Sequence, residues 1–391
     1  MGKGIENDTK KLVLIDGNAI VHRAYHSIPK NFTNRAGEKT NAVYGFAMTL
    51  IKVLEDLKPE YLAASFDLAG PTFRHREYKE YKATRVKADQ DLYDQIPRIK
   101  KLVERLGVPI YEKEGFEADD ILGTITSKIQ KTSNPPNGEA GKSQTNSKLQ
   151  NTNYKNRPAT DDPRLTTYIV SGDKDIFQLI NQNVRVYNLR KGLSQTAIVD
   201  AKNIEEEYNL QPEDFIDLKA LAGDASDNIP GVPGIGQKTA TDLLQKFDTL
   251  EKLYETIEIY QEYVIARSET TKSSEGDPFG QSDTDNRLPR SARNDNLATI
   301  KPRILNLLIE NKEQAFLSQK LATIRRDVPI DFKLEDCAWG EYDKGKLREL
   351  FEELGFQSLL RRYGNNKTEK PKNLSIDEQK NKDTKKQLKL L

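Results

Sequence analysis

Cysteine is almost missing from this sequence: Cys337 stands alone among 391 residues. No disulfide framework can form within the chain, and no thiolate zinc site can be built. Histidine is scarce too, and His22, His26 and His75 do not stand at a metal-binding spacing. Any metal site must therefore use oxygen ligands, which favours magnesium or manganese over zinc. No run is apolar enough to span a membrane, and the N-terminus lacks a signal-peptide core. A cytoplasmic, reducing compartment is expected, with no membrane partner. Net charge is also lacking. Lys+Arg (61) and Asp+Glu (60) leave +1, so only local clustering of charge bears on partners. The apolar fraction of 36% and the mean hydropathy of -0.74 are low for a wholly folded chain. A solvated portion must dilute an ordinary globular part.

Short apolar runs at Leu12-Val13-Leu14-Ile15, Tyr61 to Phe66, Thr167 to Val170 and Val184 to Tyr187 read as buried strands. Helical periodicity covers Thr40 to Leu57, Ile96 to Leu106 and Ala118 to Ile129. Strands alternating with helices predict an α/β fold with a mostly parallel sheet. Helical patterns then dominate from Ala201 to Ala266, from Ile300 to Leu321 and from Lys346 to Leu360. The expected division is a catalytic α/β domain over 11–200, a helical domain over 201–363 and a lysine-rich flexible tail over 364–391. Two segments, 131–164 and 268–296, are rich in Asn, Ser, Thr, Gly and Lys. They are expected to be disordered insertions, because neither can bury enough apolar surface to offset chain entropy.

Three of the strand-like runs lead directly into aspartates: Asp16, Asp67, and Asp173 with Asp175. Strand C-termini of a parallel sheet share one edge, where ligands bind. Glu117-Ala118-Asp119-Asp120 opens a helix, with Glu117 and Asp120 spaced to share a face. Asp224 and Asp227 repeat that spacing. Each aspartate alone is equally well explained as a helix N-cap or a strand-end turn former. The whole set on one edge is not. Like charges so close raise one another's pKa and oppose folding unless cations intervene. Two divalent ions about 4 Å apart would both relieve the repulsion and activate a water toward a phosphodiester.

A basic and aromatic segment, Phe73 to Lys87, follows the second strand. Its cations suit phosphates, and its rings suit unpaired bases. A solvated amphipathic helix would show the same composition. Further on, Ile229-Pro230-Gly231-Val232-Pro233-Gly234-Ile235-Gly236-Gln237-Lys238-Thr239 has the pattern of a helix–hairpin–helix unit. Its glycines permit tight turns, and the next helix can aim its amides at a backbone phosphate.

Together these motifs resemble the 5′ nuclease domain of bacterial DNA polymerase I, within the flap endonuclease superfamily. The resemblance rests on Ile15-Asp16-Gly17, Ala36-Gly37-Glu38, Tyr44-Gly45-Phe46, Phe66-Asp67, Phe73-Arg74-His75, Tyr81-Lys82 with Arg85, Glu117 to Asp120, Gly172 to Asp175, Gly223 to Asn228, the glycine hairpin, and Leu321 to Ile324 with Asp327-Val328. It covers Lys11 to Tyr363 apart from the insertions. It implies a PIN-like core with a helical arch, followed by a helical duplex-binding domain. It implies metal ligation, direct or through water, by Asp16, Asp67, Glu117, Asp119, Asp120, Asp173, Asp175, Asp224 and Asp227. Two Mg2+ ions are implied, with Mn2+ able to substitute.

By the same resemblance Arg74, Lys82 and Arg85 would hold the scissile phosphate, and Phe73 and Tyr81 would meet the 5′ strand. Gly231, Val232, Gly234, Ile235, Gly236, Lys238 and Thr239 would hold the duplex, with K+ on the hairpin carbonyls. The implied activities are 5′→3′ exonuclease and 5′-flap endonuclease, acting on flaps, nicks, 5′ ends and RNA primer–DNA junctions in replication and repair. The expected form is a monomer.

The chain departs from the family after Arg85, where Val86 to Gln90 replaces the usual prolines, and in its insertions. It carries no polymerase or proofreading domain, so a stand-alone nuclease is expected. Gln387, Leu388, Leu390 and Leu391 resemble the short peptide by which bacterial proteins bind the sliding clamp, although a lysine-rich tail can match it by chance. A PIN-type ribonuclease would share the acidic core but lack the hairpin and the basic segment. An inactive DNA-binding protein would lack carboxylates, yet none of these positions is empty.

Overall fold

The computed structural model describes residues 9–34, 36–133, 165–189, 196–273, 295–340 and 344–363. The polar segments at 134–164 and 274–294, and the tail with Gln387, Leu388, Leu390 and Leu391, lie outside the described residues. Among the described residues no helix is long and apolar enough to cross a membrane.

The strands are β1 (Lys10–Asp16), β2 (Tyr61–Ser65), β3 (Ile110–Tyr111), β4 (Leu165–Ser171), β5 (Val184–Leu189) and β6 (Thr196–Val199). Between them run α1 (Gly17–Ser27), α2 (Asn41–Leu57), α3 (Phe73–Glu77), α4 (Gln90–Tyr93), α5 (Ile96–Arg105) and α6 (Ala118–Ser133). The sheet is six-stranded in the order β3-β2-β1-β4-β5-β6. All its pairings are parallel except β5 with β6. The expected mostly parallel α/β architecture is therefore present. Leu12 to Ile15 are at most 1% exposed, as a central strand covered on both faces requires.

After the sheet come α7 (Ala201–Tyr208), α8 (Asp214–Ala222), α9 (Gln237–Phe247), α10 (Leu250–Ser273), α11 (Asp295–Ala298), α12 (Pro302–Glu310) and α13 (Lys312–Ala322). The helix α10 includes the first six residues, 268–273, of the polar segment. These helices gather their own core, including Leu218, Leu221, Val232, Ile235, Leu244, Leu253 and Leu308. A second core under the sheet includes Leu12, Ile121, Ile125, Ile169 and Phe177. The described residues up to Gly340 belong to one compact unit. The last described helices, α14 (Lys344–Glu353) and α15 (Gln357–Tyr363), belong to a separate unit. They form a small pair around Leu350, Phe351 and Phe356, turning at Gly355 with φ 72°.

The segment expected as a helical arch is mostly not helical. It forms α3, a run of turns around Lys79 to Arg85, and the short α4. The backbone turns at Lys82, which takes φ 56° and donates its N–H to the Asp227 carbonyl at 2.8 Å. Asn228 Nδ2 donates to the Glu80 carbonyl at 2.7 Å from the other side. These long-range ties override the local helical composition.

The hairpin between α8 and α9 turns on one close backbone contact. Gly231 has φ 62°, and a Cβ there would lie 2.6 Å from the Gly223 Cα. Its N–H donates to Ser318 Oγ at 3.0 Å, and its carbonyl accepts from Gln314 Nε2 at 2.6 Å. We expect Gly231→Ala to cost about 2 kcal/mol or more, through strain and backbone overlap. Gly236→Ala, with φ near the extended region and open space around it, should stay within about 0.5 kcal/mol. Urea unfolding of the two variants checks the contrast; equal losses would refute it.

Candidate functional site

Strands β2, β1 and β4 lie side by side, so their C-terminal ends share one edge. Asp16 is the last residue of β1, Asp67 follows β2, and Asp173 follows β4. The opening turn of α6 faces the same edge. A cleft of about 250 Å³ is lined there by Asp16, Asp67, Glu117, Asp119, Asp173, Asp175 and Asp227, with Asn18, His22, Tyr81, Lys82 and Arg85. A neighbouring cavity of about 650 Å³ takes in Asp173, Asp175, Lys219, Asp224 and Gln237 at the start of α9.

Each acid is aimed by its own local bonds. Asp16 caps α1, accepting from the Ala19 N–H at 3.0 Å, and accepts from Ser171 Oγ at 2.6 Å. The N-cap reading and the site reading thus hold for the same residue. Asp67 accepts from Asn18 Nδ2 and from the Ala118 N–H, each at 2.7 Å, which joins β2 to α1 and α6. Asp173 Oδ1 accepts from the Asp175 N–H at 3.0 Å. Asp224 closes a short turn by accepting from Ser226 N–H at 2.8 Å and Ser226 Oγ at 2.7 Å.

Crowding shows in the acid–base balance. Burial, assisted by the charges of Asp173 and Asp67, pushes Asp16 up to about 7 despite its hydrogen bonds. Burial and four neighbouring aspartates raise Asp119 well above the carboxylate range. Burial raises Asp67, and burial with Asp173 brings Asp175 to about 6. By contrast, Asp224 sits at about 2: burial would raise it, but the Lys219 ammonium and Ser226 outweigh that. Asp227 is lowered because Lys82 and Arg85 outweigh its burial.

Cationic groups of the chain itself occupy part of this acidic space. Lys82 Nζ lies 2.9 Å from Glu117 Oε1 and 3.8 Å from Asp227 Oδ2, and Arg85 pairs with Asp227. Lys219 bridges Asp175 and Asp224. Among the described residues no three His, Cys, Asp or Glu groups close to direct metal-holding geometry. The acids share a cleft, and lysine and arginine head groups stand among them. An all-oxygen donor set, with buried members held above their ordinary pKa, suits a hard divalent cation.

Four of the expected site residues are bonded or packed within the chain itself. Asp120 is fully buried and does not line the cleft. Its oxygens accept from Arg74 Nη1 and Nη2 at 2.8 and 2.9 Å, from the Arg325 N–H at 2.8 Å and from the Glu117 N–H at 3.0 Å. In this arrangement both carboxylate oxygens are filled by donors of the chain itself. Arg74 is equally committed and is only 3% exposed. Beyond Asp120 it donates to the Leu321 and Thr323 carbonyls, each at 2.8 Å. It clasps α3, α6 and the end of α13 together, and it also borders the cleft, where Nη1 lies 3.4 Å from Glu117 Oε2. Finally, the rings of Phe73 and Tyr81 are buried. Phe73 packs between the Arg74 and Arg325 guanidiniums, 4.5 and 5.5 Å from its centre. Tyr81 donates its hydroxyl to Glu117 and Asp227 at 3.1 and 3.0 Å.

In the hairpin the expected contact residues also separate. Gly231, Val232 and Ile235 are buried, while Gly234, Gly236 and Lys238 are exposed. No side chain caps α9, so its first amides open toward solvent beside Lys238. Sequence reasoning missed Lys219, Asn18, His22 and Ser171. The available signal for Lys219 was a lone lysine within the apolar stretch Leu218 to Leu221.

Removing one partner from a buried, saturated ion pair leaves the other uncompensated. Asp120→Ala should therefore destabilise the chain by about 3–5 kcal/mol, whereas Arg74→Met with Asp120→Leu together should lose much less. Thermal unfolding of the single and double variants tests this. An Asp120→Ala variant as stable as the parent would show that no clasp exists.

Residues 11–135 match the 5′–3′ exonuclease N-terminal resolvase-like domain, and residues 210–275 match the 5′–3′ exonuclease C-terminal SAM fold. The DNA polymerase I of Bacillus subtilis (strain 168) is 34% identical over 371 residues, spanning 95% of this chain and 34% of that protein. The DNA polymerase I of Bacillus caldotenax is 34% identical over 366 residues, spanning 94% of this chain and 34% of that protein. The chain spans about a third of the length of these relatives. Among solved structures, bacteriophage T5 D15 protein co-crystallised with metal ions matches with TM-score 0.52 at 16% identity, over 89% of this chain and 99% of that one. The T5 D15 flap endonuclease in a pseudo-enzyme-product complex with DNA and metal ions matches with TM-score 0.50 at 17% identity, over 80% and 89%. With both domains present in order on a shared fold, the chain belongs to the 5′–3′ exonuclease family of nucleases.

Proposed function

We propose that the chain is a divalent-metal-dependent, structure-specific 5′ nuclease that binds DNA at a 5′ end, nick or flap and hydrolyses a phosphodiester there. Removal of flaps and RNA primers during replication and repair is the matching task. The observation that carries this reading is the convergence of Asp16, Asp67, Asp119 and Asp173 on one cleft beneath Lys82 and Arg85. The T5 D15 structure with DNA and metal ions, which shares the fold, supports the same class of substrate and cofactor.

Asp16, Asp67, Glu117, Asp119, Asp173 and Asp175 are the residues that would hold a pair of Mg2+ ions, with Asp224 and Asp227 on the far side; Mn2+ would fit the same donors. Such ions, when bound, supply an activated water and charge stabilisation on the phosphodiester oxygens. Lys82 and Arg85 are placed to hold the scissile phosphate, since their head groups already reach the cleft. The uncapped start of α9, with Lys238 and Thr239, would grip a duplex phosphate and so fix the distance to the cut. A K+ ion on the hairpin would use its backbone carbonyls; those of Gly231 and Val232 accept one hydrogen bond each, from Gln314 and Ile235, and keep a second lone pair.

The test is cleavage of an end-labelled 5′-flap duplex with Mg2+ or with EDTA, mapping the cut. Cutting at or near the junction only with the metal is expected. No cutting with any divalent ion would overturn the proposal. In the same assay Asp173→Asn and Lys82→Ala should each lose roughly 10²-fold or more in rate. Binding of the flap DNA in Ca2+ should survive in the Asp173→Asn variant. Undiminished cleavage by that variant would remove Asp173 from the site.

A further inference from the structure

At two places in the cleft and its neighbouring cavity, a cation of the chain itself bridges acids from different elements. Between Glu117 and Asp227 the bridge is Lys82 with Arg85, from the loop that covers the cleft. Between Asp175 and Asp224 it is Lys219, from α8. The second bridge is the more telling. Lys219 lies on a rigid helix one turn before Asp224, with a side chain only 16% exposed. Its neighbours Leu218, Ala220 and Leu221 are buried, so the helix face is fixed by packing. The ammonium therefore cannot drift from the acids without a rotamer change of its own. It reaches Asp175, on the turn after β4, and Asp224, beyond the end of α8, at the same time.

We propose that Lys219 is a built-in competitor for a divalent cation at the Asp175–Asp224 pair, so that this position binds metal only as the lysine head group leaves. The inference rests on the metal-dependent reading above and adds to it a residue that sets affinity. A monovalent ammonium and a divalent ion cannot share the same two carboxylates at contact distance without strong repulsion. Among the described residues no lysine forms an ion pair with Asp16, Asp67 or Asp119. The cleft should accordingly contain tighter and weaker cation positions, with the weaker one set by Lys219. The larger cavity beside Lys219 gives the displaced side chain room to turn.

Manganese(II) is the probe, added to the full chain and followed as loss of the free-ion electron paramagnetic resonance signal. The parent should show two affinity classes. Lys219→Met keeps length and removes the charge, and it should tighten the weaker class about tenfold or more. Lys219→Gln should do the same, and it serves if Lys219→Met fails to fold by circular dichroism. Lys219→Arg keeps the charge and should leave the weaker class weak. Unchanged or weaker binding in the folded, uncharged variants would overturn the inference while leaving the metal-dependent reading intact. No manganese binding by the parent would overturn both.

Discussion

Carboxylates forced together in a buried space repel one another, and the cleft at the sheet edge is organised around that repulsion. The topology makes it unavoidable. Parallel neighbours β2, β1 and β4 deliver Asp67, Asp16 and Asp173 to one edge, and α6 adds Glu117 and Asp119. Left as bare anions, these groups would oppose folding. The chain meets part of the problem with protons, as the upward shifts of Asp16 and Asp119 indicate. It meets another part with lysine and arginine, as Asp224 and Asp227 indicate by their downward shifts. Both responses suit a site in which external cations take over the task.

A different buried pair holds the frame. Arg74 and Asp120 neutralise each other with two parallel hydrogen bonds; backbone groups fill the rest of Asp120, and Arg74 turns to two carbonyls and to the Glu117 carboxylate. Such a pair gives little net stability relative to an apolar replacement, but it fixes geometry. Here it ties the start of the covering loop to α6 and to the chain after α13. Asp119 and Asp120 are adjacent in sequence, yet one faces the cleft and the other faces the clasp. On a helix neighbouring residues point about 100° apart, so a single step separates a cleft-lining acid from a structural one.

Much of the fold was legible because its central strands are short apolar runs with an aspartate at or just after their ends. Leu12 to Asp16 is an example: burial on both faces demands the run, and the edge position explains the acid. β3 escaped notice because Ile110 and Tyr111 are too few to show a period. β6 escaped because its edge position lets Thr196, Ala197 and Ile198 stay partly exposed. The acids themselves were legible as a set. Their individual duties were not, since those depend on partners far along the chain. Arg74 finds Asp120 across 46 residues and the Thr323 carbonyl across 249. The exposed-looking alternation of Phe73 to Lys87 hid two buried rings, for no local pattern says that Tyr81 will reach Glu117 and Asp227.

The covering loop is held down by the same acids it covers. Tyr81, Lys82 and Arg85 all end on Glu117 or Asp227, and the Lys82 backbone donates to the Asp227 carbonyl. Those contacts join the α/β part to the segment that leads from α8 into the hairpin. A loop fastened largely by electrostatics, with apolar packing from Tyr78 and Tyr81, can change its contacts when the charge beneath it changes. Cations arriving in the cleft would weaken the hold of Glu117 and Asp227 on Lys82 and Arg85 and leave both head groups free to meet a phosphate. In this arrangement the same acids line the cleft and fasten its cover, so on the proposed reading the charge in the cleft would govern how firmly the loop is held.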